Sequence, residues 1–368
     1  MAKESRSVVV VAQSAKEIDG CRRDSRSRHA SSGGLTVTVL KPVKRILLIA
    51  AVVTALMSPV RASAQVACVP AAATDGGGGI ACFHLTDTGN VTPDVSISGS
   101  NTTLTTGTRT VRSVWVDSAG NYYASLDGTD AFLWFAAGAD GNVAPSSTTT
   151  GSNLTSGHPY RIITDASGNI WSVSYTSSTV AKYAPCASGT CNTAPSVTLS
   201  GSNTQLSAPD AIAFDPGGNL WVANVGSNTL IEFTAAQLVS GGNVAPAGNI
   251  ISGGATDLDF PYDMAIDTTG NIYVANYSGN SITVYDVGSQ SGNVTPNQNI
   301  VGAATLLSSP VGVAVDSDSN IYVAQPGNLL SFASGTTGNV APTTNITGAS
   351  SLLNCGVGRM GITQPTQE

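Results

Sequence analysis

The sequence predicts an all-β fold of six four-stranded units closed into a ring, and three observations predict it. First, an Asn-x-x-Pro element, usually inside Gly-Asn-Val-x-Pro, begins at Asn90, Asn142, Asn192, Asn243, Asn293 and Asn339, in steps of 52, 50, 51, 50 and 46 residues. Second, an Asp-x-x-Gly-Asn element alternates with it at Asp117, Asp165, Asp215, Asp267 and Asp316, the last with Ser319 in place of glycine. Third, the 368 residues are only 11% charged and include 40 glycines and 17 prolines, while apolar and aromatic residues recur to the C-terminus. That composition excludes long helices and coiled coils yet supplies a core.

Each strand has its own warrant. A short apolar run precedes the Asp element, as at residues 211–214, and another follows it, as at 220–223. This reads as strand, tight turn, strand. Glycine supplies the positive φ of the turn and the Asp side chain bonds its amides. A third run ends in an aromatic, as at 282–285, and a fourth follows Asn-x-x-Pro, as at 197–199. A four-stranded unit of this size cannot bury both faces alone, and the radial solution is a six-bladed β-propeller. Tandem β-sandwiches compete, but they rarely repeat at about 50 residues.

The ends predict how the ring closes. Residues 67–107 contain only the outer two strands of a unit, at 80–85 and 95–98, while 356–362 resemble a first strand. One blade is therefore shared between the N- and C-terminal segments, which removes an exposed edge.

Charge separates the N-terminus from the rest. Residues 1–64 hold 11 of the 16 Lys and Arg but four of the 23 acids, whereas the remainder carries −14, with Lys182 its only lysine beside Arg109, Arg112, Arg161 and Arg359. A basic footprint for nucleic acid is missing. Lys41-Pro42-Val43-Lys44-Arg45 precedes an uncharged apolar run, 46–57, and then Ala62-Ser63-Ala64. Residues 41–64 thus read as a secretory signal peptide, since the run falls short of the roughly 20 residues a bilayer span needs. Gln65 is the expected mature start, and residues 1–40 are a disordered or mis-started extension. Membrane contact is expected only through the signal peptide before cleavage, with localisation extracellular or periplasmic and the mature chain a monomer. An exported chain can form disulfides. Cys186 and Cys191 enclose four residues and suit a local bridge, and Cys355 is expected to pair with Cys82 or Cys68 to lock the ring.

The run Pro-Tyr-Asp-Met-Ala-Ile-Asp-Thr-Thr-Gly-Asn-Ile-Tyr-Val-Ala-Asn at 261–276 resembles an NHL-type repeat, as does 209–224. The similarity extends over 67–363 and implies the six-bladed family that includes gluconolactonase-like and streptogramin-lyase-like propellers. Such blades serve both enzymes and binding platforms, so the resemblance speaks for fold more than activity.

In such a ring the start of each first strand meets the end of the second on one face, opposite the Asp turns. This mouth collects Arg112, Tyr160 and Arg161 on one side, with Asp210, Asn224, Tyr262, Asp263, Asn276 and Gln325 on the other. They suit a small polar or anionic ligand. In the alternative, Asp210, Asp263, Asn224 and Asn276 hold Ca²⁺ or another divalent metal, with Arg112 or Arg161 stabilising an oxyanion in a hydrolase or lyase. The resemblance to gluconolactonase-like enzymes implies a glutamate ligand, yet the mature chain has only Glu232 and Glu368, neither aimed at the channel. Streptogramin-lyase-like catalysis implies histidine, and only His84, in an outer strand, and His158, near the mouth, follow Ala64. No catalytic residues are assigned. The expected function is a secreted, cofactor-free, non-catalytic module that binds a protein, peptide or carbohydrate.

Overall fold

The computed structural model describes residues 65–72, 78–104, 110–127, 130–154, 159–286, 288, 291–353 and 360–362. The chain divides into residues 1–56 and 57–368, and every described residue belongs to the second unit. The expected extension at 1–40, the signal peptide at 41–64, His158, Cys355 and Glu368 lie outside the described residues.

Among the described residues six sheets form the ring, antiparallel apart from one added edge strand. Their innermost strands are Gly361–Ile362, Thr110–Val116, Pro159–Thr164, Pro209–Phe214, Pro261–Ile266 and Gly312–Val315, for blades 1 to 6 in that order. Each packs on the next, and the innermost strand of blade 6 packs on that of blade 1. Apolar side chains between consecutive sheets form the core, including the fully buried Trp171, Trp221, Phe233, Tyr285 and Phe332. No helix among the described residues is long and apolar enough to cross a membrane.

The ring closes as expected in kind but not in count. Blade 1 takes three strands from the N-terminal segment, Val66–Ala72, Gly78–His84 and Val95–Ile97, and only its innermost strand from the C-terminus. The additional strand, Val-Ala-Cys-Val-Pro-Ala-Ala, lacks the β-branched and aromatic density that marks strands elsewhere. It places Cys68 opposite Cys82 in register, with Cα atoms 4.1 Å apart, and those two cysteines form a disulfide. The expected bridge from Cys355 to Cys82 or Cys68 is corrected accordingly: two cysteines already held across a strand pair join each other before one is brought from the far end of the chain. Cys186 and Cys191 are joined to each other. Gly189–Cys191 adds parallel to Ser147–Thr150, so blade 2 has a fifth strand donated by blade 3.

The two repeated elements now have physical roles. At each Asp element the carboxylate gathers its own turn: Asp267 accepts from the backbone N–H of Thr269 and Asn271 at 2.9 Å and from the Tyr273 hydroxyl at 3.0 Å. Asp117 and Asp316 bind Tyr123 and Tyr322 in the same way, and Asp165 takes the Trp171 indole. Burial opposes ionisation of Asp267, but hydrogen bonds from Asn271, Thr269 and Tyr273 outweigh it and hold the carboxyl at about 2. Burial and then the Asp267 charge push Tyr273 up to about 12.

The Asn-x-x-Pro element is a clasp between blades. Asn142, Asn192, Asn243, Asn293 and Asn339 each accept, through the side-chain oxygen, a backbone N–H from the preceding blade, from Asn101, Asn153, Asn203, Ala255 and Ala304. Asn90 does the same for Ser350 at 2.8 Å, so the clasp also bridges the two chain ends. The segment that donates turns on a glycine of positive φ. At Gly201, with φ of 103°, an added Cβ would lie 2.6 Å from the Asn243 side chain. Glycine is required there by both conformation and space.

Candidate functional site

The mouth face is assembled from the starts of the inner strands and the residues that follow the second strands. Arg161, in Pro159–Thr164, is 2% exposed and crosses the channel from blade 3 to blade 5, where its Nε lies 3.5 Å from Asp263 Oδ1. Its Nη1 donates to the carbonyl of Met360 in blade 1 at 3.0 Å. Asp263 is fully buried and its Oδ2 accepts the backbone N–H of Val313, in blade 6, at 3.0 Å. One ion pair thereby ties together four blades. Asp210, on the intervening blade 4, is 1% exposed. Breaking a buried pair of this kind is costly, because the remaining partner is left without a counter-charge away from water.

Above this floor the side chains are aromatic. The Arg112 guanidinium lies 4.3 Å from the ring centroid of Tyr160, which stacks on Tyr175 at 5.2 Å. On blade 5, Tyr262 packs on Tyr277 at 5.4 Å and on Phe260 at 6.2 Å. Tyr277 is 37% exposed, and the other four rings are partly so. Large aromatic rings half out of water on one face are what recognition surfaces use: they bury much area for few rotatable bonds. The sequence reading named Tyr160 and Tyr262 but not Tyr175, Phe260 or Tyr277. A signal existed, because an aromatic follows the second strand at Ser174-Tyr175 and Asn276-Tyr277, where blades 4 and 6 have Val225 and Pro326.

Three predicted ligand residues are turned to another use. Asn224 accepts the N–H of Ser207 at 3.0 Å and donates to the Gln205 carbonyl and the Thr229 hydroxyl, each at 3.1 Å. Asn276 accepts from Asp259 at 3.1 Å and donates to Thr283 at 3.0 Å. Gln325 accepts from Ser308 at 2.9 Å and donates to the Leu306 carbonyl at 2.8 Å. All three are buried and pin the loop that leads into their blade's inner strand. Gln205 and Leu306 sit there at φ of 55° and 59°, a backbone that needs such support. These amides therefore support the fold of the mouth loops.

Three of the four residues expected to hold a metal are engaged in other contacts. Both Asn oxygens are spent on backbone amides, and the Asp263 carboxylate is shared between Arg161 and Val313. Among the described residues no group of three or more His, Cys, Asp or Glu is placed to share a metal. Glu232 is buried in its third strand and accepts from the backbone and side chain of Asn249 at 2.7 and 3.1 Å. His84 lies at a strand end, 3.5 Å from Asp94, far along its blade from the channel.

Solved structures share the fold at low identity. A putative 6-phosphogluconolactonase from Bacteroides uniformis is 15% identical, with 78% of this chain and 84% of that one covered and a TM-score of 0.51. A chain of a nidogen/laminin complex is 10% identical, with coverage of 83% and 100% and a TM-score of 0.54. Virginiamycin B lyase from Staphylococcus aureus is 12% identical over 64% of this chain and 69% of its own, with a TM-score of 0.45. No curated protein matches the sequence. The model of one family, described as lactonase, 7-bladed beta-propeller, matches residues 28–308. With more than half of its length matched, and six blades where the family's description has seven, the chain belongs to the lactonase propeller family.

Proposed function

We propose that this protein is an exported, non-catalytic binding module whose mouth face takes a peptide, protein or carbohydrate ligand. The observation that carries the reading is the pair of aromatic groups, Tyr160–Tyr175 with Arg112 and Phe260–Tyr262–Tyr277, flanking blade 4 above the buried Arg161–Asp263 ion pair. Tyrosine and arginine anchors are the residues that dominate binding energy at interfaces. What supports binding over chemistry is that Arg161 and Asp263 are engaged with one another as an ion pair, 3.5 Å apart. Export is supported by two disulfides. A monomeric chain without cofactor completes the proposal.

Family membership makes lactones the substrates to challenge it with. In a pH-stat assay of the full chain on gluconolactone and simple aliphatic lactones, the proposal expects no hydrolysis above the buffer rate. Turnover that disappears in Arg161→Met would replace it with an enzyme at the same floor. The positive test is an array of oligosaccharides and peptides probed with the labelled chain, with Tyr160→Ala/Tyr262→Ala as the control.

A further inference from the structure

A second site lies on the other side of the Arg161–Asp263 crossing. The inner strands of all six blades enclose a cavity of about 410 Å³, within the range of small-molecule sites. Arg161 lines it, as do the turn residues Asp117 and Asp165, whereas Asp263, Tyr160 and Tyr262 do not. The cavity therefore runs from the ion pair toward the Asp turns, away from the aromatic mouth. Its wall is apolar over most of its extent: Trp115, Ile163, Phe214, Met264, Val315 and Met360. Trp115 and Phe214 are only partly buried, which leaves ring surface open to the cavity. Trp115 is fixed by its indole N–H, which donates to Thr164 Oγ1 at 2.9 Å.

Charge decides what such a cavity accepts. Arg161 contributes little net field, because Asp263 sits 3.5 Å from it. Of the turn carboxylates, Asp117 and Asp165 line the cavity, while Asp215, Asp267 and Asp316 sit on the equivalent turns of the other blades; hydrogen bonds hold Asp165 below the usual carboxylate range and Asp267 at about 2 despite burial. Lys182 is the one cation near these turns among the described residues, 3.1 Å from Asp165 Oδ2. A low-dielectric channel whose rim carries an excess of one sign of charge concentrates ions of the other sign, and aromatic walls add cation–π attraction.

We propose that this cavity binds a small organic cation with an apolar body: the body fills the channel against Trp115 and Phe214, and the cationic head stays at the carboxylate rim. The site is distinct from the mouth and does not depend on what binds there.

Calorimetric titration of the full chain at low salt, with benzyltrimethylammonium as the cation and benzenesulfonate as its anionic counterpart, tests the proposal. Saturable binding of the cation is expected, weakening several-fold as salt is raised, with no saturation by the sulfonate. Ala213→Phe fills the cavity and should abolish binding while leaving the melting temperature within a few degrees. Ala265→Phe fills it from blade 5 and serves if the first variant fails to fold. Tyr262→Ala should bind the cation as the unaltered protein does. Failure of the cation to saturate, equal affinity for the sulfonate, or binding retained in the filled variants would each overturn the site.

Discussion

The two faces of the ring are built from the same strands and follow opposite rules. On the Asp-turn face the blades are near copies: Asp117, Asp165, Asp215, Asp267 and Asp316 each cap their own turn, and all five place an aromatic residue six positions on, at Tyr123, Trp171, Trp221, Tyr273 and Tyr322. On the mouth face the corresponding positions vary from blade to blade, and among the described residues the rings gather on blades 3 and 5 alone. Repetition marks what every blade needs to fold, and departure from it marks what one place on the ring does. The aromatic groups and the Arg161–Asp263 crossing are departures of this kind.

The largest effect is expected where a departure is buried. Arg161→Ala leaves Asp263 charged and desolvated and should cost about 3–5 kcal/mol in urea unfolding, whereas Arg161→Met with Asp263→Leu should recover most of it. A smaller loss is expected at a repeated position. Gly201→Ala forces a Cβ onto Asn243 at φ of 103° and should cost about 2–3 kcal/mol, while Gly254→Ala, with open space around it, should stay within about 0.5 kcal/mol.

The Asp turns should show themselves in acid. Asp267 titrates at about 2 in the folded chain against 3.8 unperturbed, so its stabilisation is complete above pH 4 and is lost as pH falls toward 2. Asp267→Asn should lower stability at neutral pH by about 1–2 kcal/mol, discounted for partial solvent access, and flatten the slope between pH 4 and 2. Stability curves at several acid pH values check both. At the other extreme, Tyr277→Ala removes a ring already 37% exposed and should change stability by no more than about 0.5 kcal/mol.

The same contrast explains what could be read in advance. Repeated elements are legible because each copy corroborates the others, so the blade count, the Asp turns and the shared blade emerge from spacing alone. The clasp role of Asn90 and its five equivalents was hidden because its partner is a backbone N–H about 40 residues earlier, or at the far end of the chain. Val66–Ala72 was missed because alanine and proline do not announce a strand, and with it went the true partner of Cys82. At the mouth, placing Asn224, Asn276 and Gln325 on the correct edge did not reveal that their amides face inward to a strained loop. Polar residue type locates a position on a face, but hydrogen-bond demand from nearby backbone decides whether it remains available to a ligand.

The central claim is that the peptide, protein or carbohydrate ligand is recognised on the aromatic mouth and not on the Asp-turn face. Its most direct test is titration of the strongest array ligand into the full chain, into Tyr160→Ala/Tyr262→Ala and into a turn-face control, Ser118→Ala. The account predicts at least a tenfold loss of affinity in the double tyrosine variant, about 1.4 kcal/mol or more, and none in the control. Unchanged affinity in the tyrosine variant with the fold intact would contradict it.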